Sequence, residues 1–575
     1  MSSALPPPTD RKERPVIERR ALGLMLFVGA ALLLLSARLI QLQAVEHGHW
    51  LERARAIQES TIELLPRRGT IYDRNGLPLA TDVKAVAIAV DSYNMTKPET
   101  LVSVLHEELG ASKTFLCERI YRQSYFTWID RGVDLEAAQK IRQRVGEADA
   151  RGLIFIDTWK RFYPQGDLAS NVLGIVGVDG DGLEGIELVC DEALSGTPTR
   201  IHVVEGADGR TYHTEIVQEG MPGQDVTLTV DARLQFLCEE AIDHGVAYFK
   251  ADAGMFILLD PGTGDVLAMA QDRRVDLNDF GTSSAEDRRN LAVSFLFEPG
   301  SSFKAFSGLA ALEHGVVAVE DRFNGNDGIR VTGHVMHNAE YRSYGTVTFG
   351  EVIEKSINTG MIRVAQKLGE EALCRFLAAL GFGERTGIGL PGEENGILRD
   401  ASAWAPLDLA AASIGQSVAV TGIQLAQGMA VIANGGLLLV PRIIQEPIET
   451  GTEPEEPVVV RRVASEASCG TMRELLRRVI GPEGTGPLAE VDGYEVAGKT
   501  GTAQKAIPGR GYVDGKYTSV FAGFLPKEDS KYLGVVVLDE VKTRPVWGGY
   551  TAGQIFSDAL SRIVRIEHVP PVAVR

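Results

Sequence analysis

Cysteine is scarce and unpatterned in this chain. Five occur in 575 residues, Cys117, Cys190, Cys238, Cys374 and Cys469, none in C-x-x-C spacing, and the ten histidines do not cluster. Neither a disulfide framework nor a zinc site can therefore be read, and no metal is expected. Basic charge is short as well: 58 Lys and Arg face 77 Asp and Glu, a formal net charge of -19. A nucleic-acid binder shows a basic face, so no nucleic-acid partner is expected. No internal repeat is evident. What is present, 44% apolar and 23% charged residues, fits large cores rather than disorder. At this length two to four domains are expected.

One long uncharged run stands near the N-terminus, Ala21 to Ala37, extended by Leu39 and Ile40 beyond Arg38. That length is near the lower limit for a spanning helix, and Arg38 can reach outward to the interface. A cleaved signal peptide has a shorter apolar core and an A-x-A site, which this stretch lacks. An uncleaved, single-pass anchor over 21–42 in the inner or plasma membrane is expected. Arg11, Lys12, Arg14, Arg19 and Arg20 precede it, which places residues 1–20 in the cytoplasm and everything after 42 outside.

Residues 43–225 show helical periodicity only in patches such as 101–123 and 135–147, with turn signals at Asn75-Gly76 and Asp179-Gly180. They read as an extended, mixed module. From Val226 the pattern changes: a short strand, a helix-like run from Leu234 to Phe249, then two apolar strands around Asp260-Pro261-Gly262-Thr263-Gly264, a hairpin signal. Helical patterns dominate to about residue 437, and strands return near 494–506, 517–525 and 531–539. Strands at both ends with helices between suggest one sheet flanked by helices, an α+β second region over 226–575. Residues 445–457 read as an acidic surface loop.

Two nucleotide motifs are decoys. Gly180-x-Gly182-x-x-Gly185 follows an apolar, strand-like 172–178 and matches a dinucleotide fingerprint, but its flanks show no β-α-β rhythm. Gly493-x-x-x-x-Gly498-Lys499-Thr500 spells a P-loop, which needs flexible small residues and a following helix; here strand formers precede and Gly501-Thr502-Ala503 follows. Both also lie outside the membrane, where these cofactors are not supplied. No cofactor is expected.

Three short motifs carry more. Phe297-Glu298-Pro299-Gly300-Ser301-Ser302-Phe303-Lys304 opens an apolar helical run. On a helix, positions i and i+3 share a face, so the Lys304 amine stands over the Ser301 hydroxyl. Serine needs an adjacent base to be a nucleophile, and a buried lysine becomes one when its pKa falls. Taken alone, a helix cap with a snorkelling lysine explains the pair better. Lys355-Ser356-Ile357-Asn358 opens a second helical run, placing a hydroxyl and an amide two apart. Lys499-Thr500-Gly501-Thr502 reads as a strand, sending Lys499 and Thr500 to opposite faces. Gly501 lets a ligand approach the strand's edge, as an added peptide strand would.

Together, Ser301-x-x-Lys304, Ser356-x-Asn358 and Lys499-Thr500-Gly501 resemble the three motifs of penicillin-binding proteins and serine β-lactamases. Their order agrees, as do separations of 55 residues (301 to 356) and 143 residues (356 to 499). Arg68-Gly69-Thr70-Ile71-Tyr72-Asp73-Arg74-Asn75-Gly76, Arg161-Phe162-Tyr163-Pro164 and Gly182-Leu183-Glu184-Gly185-Ile186-Glu187 are similar to hallmark segments of class B penicillin-binding proteins. The resemblance implies a pedestal, or dimerisation-type, domain over 43–225 and a penicillin-binding transpeptidase domain over 226–575. It implies D,D-transpeptidation of peptidoglycan stem peptides ending in D-Ala-D-Ala, with β-lactams as inhibitors. Ser301 would be the nucleophile, Lys304 its base, Ser356 a proton carrier and Asn358 an orienting group. Lys499, Thr500, Gly501 and Thr502 would hold the substrate, with the Ser301 and Thr502 N–H groups as oxyanion hole.

A β-lactamase shares these motifs, but no Glu-x-x-x-Asn stands between Ser356 and Lys499 to activate a hydrolytic water, and the anchor and pedestal are superfluous for it. Intact motifs argue against a non-catalytic scaffold or β-lactam sensor. Within class B, Phe297–Gly300 and Ala497–Ala503 look closer to the division (FtsI-like) type than to the elongation type. By the same resemblance, a SEDS-type glycan polymerase and other divisome membrane proteins are the expected partners.

Overall fold

The computed structural model describes residues 14–148, 150–205, 211–445, 456–507 and 511–571. Most of the acidic 445–457 stretch lies outside the described residues. The N-terminal run is a helix, Arg14–Ile40, continued through a π-helical turn, Gln41–Val45, into a second helix, His47–Gln58. Leu24, Met25, Phe27, Leu33 and Leu34 on it are exposed, so its apolar surface finds no partner among the described residues. The stretch Glu18–Val45 is long and apolar enough to cross a membrane, with mean hydropathy 2.2 over its window.

The region that follows is built on the long strand Pro78–Val90, paired antiparallel with Thr127–Asp134 on one side and Leu153–Phe162 on the other. Alternation places Val86, Ile88 and Val90 on one face. The amphipathic helices Pro98–Leu109, Lys113–Ile120 and Leu135–Glu147 cover that face, giving a small core with Leu101, Leu105, Ile120 and Ile141.

The three hallmark segments converge in one buried charge network. Glu187 is fully buried; its carboxylate accepts from Arg68 Nε at 2.7 Å and from Arg161 Nε at 2.6 Å. Arg161 Nη1 also reaches Asp82 at 3.1 Å, and Arg68 Nη1 reaches Asp191 at 2.7 Å. The glycines of the dinucleotide decoy serve this packing. A Cβ on Gly182 would lie 1.9 Å from the Glu187 carbonyl oxygen. The strand expected over 172–178 is instead a helical turn, Ser170–Leu173, followed by irregular chain; its apolar residues Val172, Leu173 and Ile175 are buried, and a short buried run has no periodicity to separate helix from strand.

The second region holds a five-stranded sheet with spatial order Val266–Gln271, Ala253–Leu259, Tyr532–Asp539, Gly511–Leu525, Ala497–Ile507, every neighbour antiparallel. The hairpin expected around 260–264 is its first pair. The helix Ala232–Phe249 is capped by the Asp231 carboxylate, which accepts from the Arg233 and Leu234 amides; with Ala552–Ile566 it covers one face. The helical region from 285 to 433 covers the other. The strand Val226–Leu228 pairs in parallel with Ile71–Tyr72 and antiparallel with Ile444–Gln445. Asn75 Nδ2 donates to Asp231 Oδ2 at 2.8 Å and Ala232 N to Asp73 Oδ2 at 3.1 Å, so the Asp73–Gly76 turn is tied to the start of that helix.

Candidate active site

Ser301 lies in a short 3-10 turn, Gly300–Phe303, that runs directly into the helix Lys304–Glu313. The turn is wedged between two backbones. Gly300 adopts φ +54°, and a Cβ there would sit 3.0 Å from the Thr502 carbonyl oxygen. On the other side Gly300 N donates to Gly415 O at 3.0 Å, and a Cβ on Gly415 would lie 2.0 Å from Gly300 O. Ser417 N donates to Glu298 Oε1 at 2.9 Å. These contacts explain Pro299-Gly300 before the serine: the turn must pass where no side chain fits.

Lys304 is fully buried, as are the apolar residues after it up to Ala311. Its Nζ donates to Ser356 O and Asn358 Oδ1, each at 2.6 Å, and lies in hydrogen-bond contact with Ser356 Oγ at 3.1 Å. Ser356 holds φ +57° just before the helix Asn358–Leu368, a conformation that presents both its carbonyl and its hydroxyl to the lysine. Asn358 Nδ2 donates to His337 O at 2.7 Å, which fixes its amide. Burial, and then the neighbouring Lys499 cation, push the Lys304 pKa well below that of an ordinary lysine. Lys499 is also fully buried, and burial lowers it to about 7.

Ala497–Ile507 is the edge strand of the sheet, paired only with Gly511–Leu525 among the described residues. A Cβ on Gly501 would lie 2.6 Å from Pro299 O, so Gly501, and with it Lys499, faces the turn that carries Ser301. Thr500 and Thr502 fall on the alternate face. Thr500 Oγ1 shares a hydrogen bond with Thr485 Oγ1 at 2.7 Å, and Thr502 Oγ1 accepts from Gly548 N at 3.0 Å, which leaves the Thr502 O–H as a donor. Lys499 and Thr500 in a continuous strand rule out a phosphate-wrapping loop.

The structure thus brings Ser301, Lys304, Ser356, Asn358 and Lys499 to one cleft, with Thr500, Gly501 and Thr502 along its edge. Sequence reading missed Thr485, Gly548, His337 and Asn338. The last of these donates to Gly325 O and Arg342 O and accepts from Thr359 N. None carries a local motif; each acts by bracing a motif residue from far along the chain. Among the described residues no group of three or more His, Cys, Asp or Glu is arranged to hold a metal.

Comparison with known proteins identifies two domains. Residues 254–561 match the penicillin binding protein transpeptidase domain, and 63–228 the penicillin-binding protein dimerisation domain. The chain is 31% identical to stage V sporulation protein D of Bacillus subtilis, covering 96% of this chain and 87% of the relative. It is 28% identical to the peptidoglycan D,D-transpeptidase FtsI of Buchnera aphidicola, covering 88% of each. Among solved structures, penicillin binding protein 3 of Mycobacterium tuberculosis in complex with aztreonam superposes with TM-score 0.69 at 29% identity, covering 89% of this chain and 98% of the other. A matched domain spanning more than half the chain, laid over a cleft of this composition, leaves one assignment: the chain belongs to the penicillin-binding protein family of peptidoglycan D,D-transpeptidases.

Proposed function

We propose that the chain cross-links peptidoglycan through an ester on Ser301. The observation that carries this is the buried Lys304 Nζ, three residues from Ser301, held by Ser356 and Asn358 beside a second buried lysine. Neutral Lys304 takes the Ser301 proton as Oγ attacks the carbonyl between the two terminal D-alanines. The C–N bond breaks as Ser356 gives its proton to the leaving amine and is reprotonated by Lys304, which becomes neutral again, and the acyl group stays on Oγ until an amine on a neighbouring stem displaces it. Lys499, Thr500 and Thr502 bind the terminal carboxylate. The Ser301 and Thr502 amides stabilise the oxyanion, a contribution of roughly 3–4 kcal/mol per donor. The domain limits near 225, the cytoplasmic N-terminus and the outward-facing catalytic region belong to the same reading. So does a septal role beside a SEDS-type glycan polymerase, supported by the likeness to FtsI.

The test is covalent. Detergent-solubilised protein incubated with benzylpenicillin gains one adduct by intact mass that persists for many minutes. No adduct, or rapid turnover of nitrocefin, would overturn the transpeptidase reading. Depletion in cells separates the two roles: filaments support division, rounding would assign elongation instead.

The pH profile of acylation follows from the two lysines. Activity in the free enzyme needs Lys304 neutral and Lys499 charged. The second-order rate therefore rises with pH through the lowered Lys304 pKa, then falls as Lys499 loses its proton above about 7, approaching tenfold per pH unit. Lys499→Arg keeps its charge at every working pH and removes the alkaline limb. An alkaline limb unchanged in that variant would exclude Lys499 as its source.

A further inference from the structure

Next to Asn358 lies an aromatic rim with no role in the chemistry above. Asn358, whose Oδ1 takes the Lys304 proton donor, hands its Nδ2 to His337 O. The His337 ring is fixed by Asp327 Oδ2 at 2.8 Å and meets the Tyr341 ring edge-on, centroids 4.7 Å apart. Tyr341 is 72% exposed, its ring held against that of His337. Both Glu340 and Tyr341 sit at positive φ, +55° and +57°, a conformation that bulky residues avoid and that persists only where surroundings enforce it. Here Asn338 enforces it, clamping the turn through Gly325 O and Arg342 O while its own amide donates to Asp327 Oδ1 at 2.7 Å. The nearby Arg342 guanidinium lies over Tyr344 instead, 5.1 Å from that ring, so it does not cover Tyr341.

The two walls differ in the charge they suit. The edge-strand wall offers a lysine and hydroxyls, fit for the donor's carboxylate. The rim offers an exposed ring face with the exposed Glu340 beside it, fit for a cation on an alkyl stem. In cross-linking, the nucleophile arrives as a cation, the ammonium of the acceptor side chain. We propose that Tyr341 and Glu340, held by His337 and Asn338, form the docking site for the acceptor: a primary ammonium on an aliphatic side chain. This rests on the Ser301 acyl-enzyme reading. The docked ammonium gives one proton to solvent, and its nitrogen lone pair attacks the ester carbonyl. As the Ser301 C–O bond breaks, the second proton passes through Lys304 to Oγ, yielding an amide and free serine.

The test uses the full chain in detergent, a thioester acyl donor, and Nα-acetyl-lysine amide as acceptor, reading the ratio of aminolysis to hydrolysis. Tyr341→Ala lowers the ratio about fivefold to tenfold, Tyr341→Phe keeps it, and the remote exposed Tyr248→Ala leaves it unchanged. An unchanged ratio in Tyr341→Ala, a loss in Tyr341→Phe equal to that in alanine, or a wild type that transfers nothing to the amine would overturn the proposal. A fall in benzylpenicillin acylation of the same size would overturn it too, placing the rim on the donor side. Absence of any acyl-enzyme in the wild type would remove the catalytic reading and this proposal together; a normal acyl-enzyme with an unchanged ratio removes only the proposal.

Discussion

Ser301→Ala gains no mass with benzylpenicillin, while the wild type gains one adduct per chain. The serine supplies the only bond to the drug, so the loss is complete. Lys304→Ala keeps the nucleophile but slows acylation by about 10²–10⁴, the range for a positioned general base. The structure makes the lysine hard to replace. It is fully buried, and its amine is held at 2.6–3.1 Å by Ser356 and Asn358. Lys304→Arg does not rescue the rate, because a guanidinium stays protonated and cannot accept the serine proton. Serine and lysine act as one unit, so the double variant is no slower than Ser301→Ala alone. Acylation of Lys304→Ala at the wild-type rate would move the base role to another group.

Glu187→Gln unfolds the first region at a temperature lower by on the order of 10 °C, with the catalytic region still acylated by benzylpenicillin. Glu187 is the shared anion of Arg68 and Arg161; Glu187 and Arg68 are buried, and the Arg161 side chain is 7% exposed. Neutralising it leaves two guanidiniums competing for an amide, and breaking a buried ion pair from one side costs about 3–5 kcal/mol. For a region of this size each kcal/mol is roughly 2–4 °C. The carboxylate holds three segments more than 100 residues apart at the extremes, so the loss is not absorbed locally. Differential scanning calorimetry resolves it. A first transition within a degree or two of the wild type would show that Asp82 and Asp191 suffice.

Much of the site was legible in linear order. Ser301 and Lys304 are three apart, and a helical turn brings positions at that spacing together whatever the rest of the fold does. Period-two alternation likewise separates Lys499 from Thr500 on any strand. The decoys failed by the same local logic: Gly498-Lys499-Thr500 sits among strand formers, and Ala497–Ile507 is a strand. Local reading ran out where a segment lacked period. The buried 170–175 stretch is helical at its start and not a strand, because complete burial erases the alternation that distinguishes them. The helix His47–Gln58 also went unanticipated.

The sequence by itself determined the family, the candidate site residues and the single long apolar segment, because motif spacing, residue chemistry and hydropathy are properties of the chain. Tertiary structure alone decided what those residues can do. A lysine is a base only when burial and a second cation lower its pKa, and both come from segments 52 to 195 positions away, at Ser356 and Lys499. Glycines 300, 415 and 501 matter because three backbones meet there, and Tyr341 because a left-handed turn lifts it to the rim. Long-range packing sets desolvation and close approach, and neither is written in any local window.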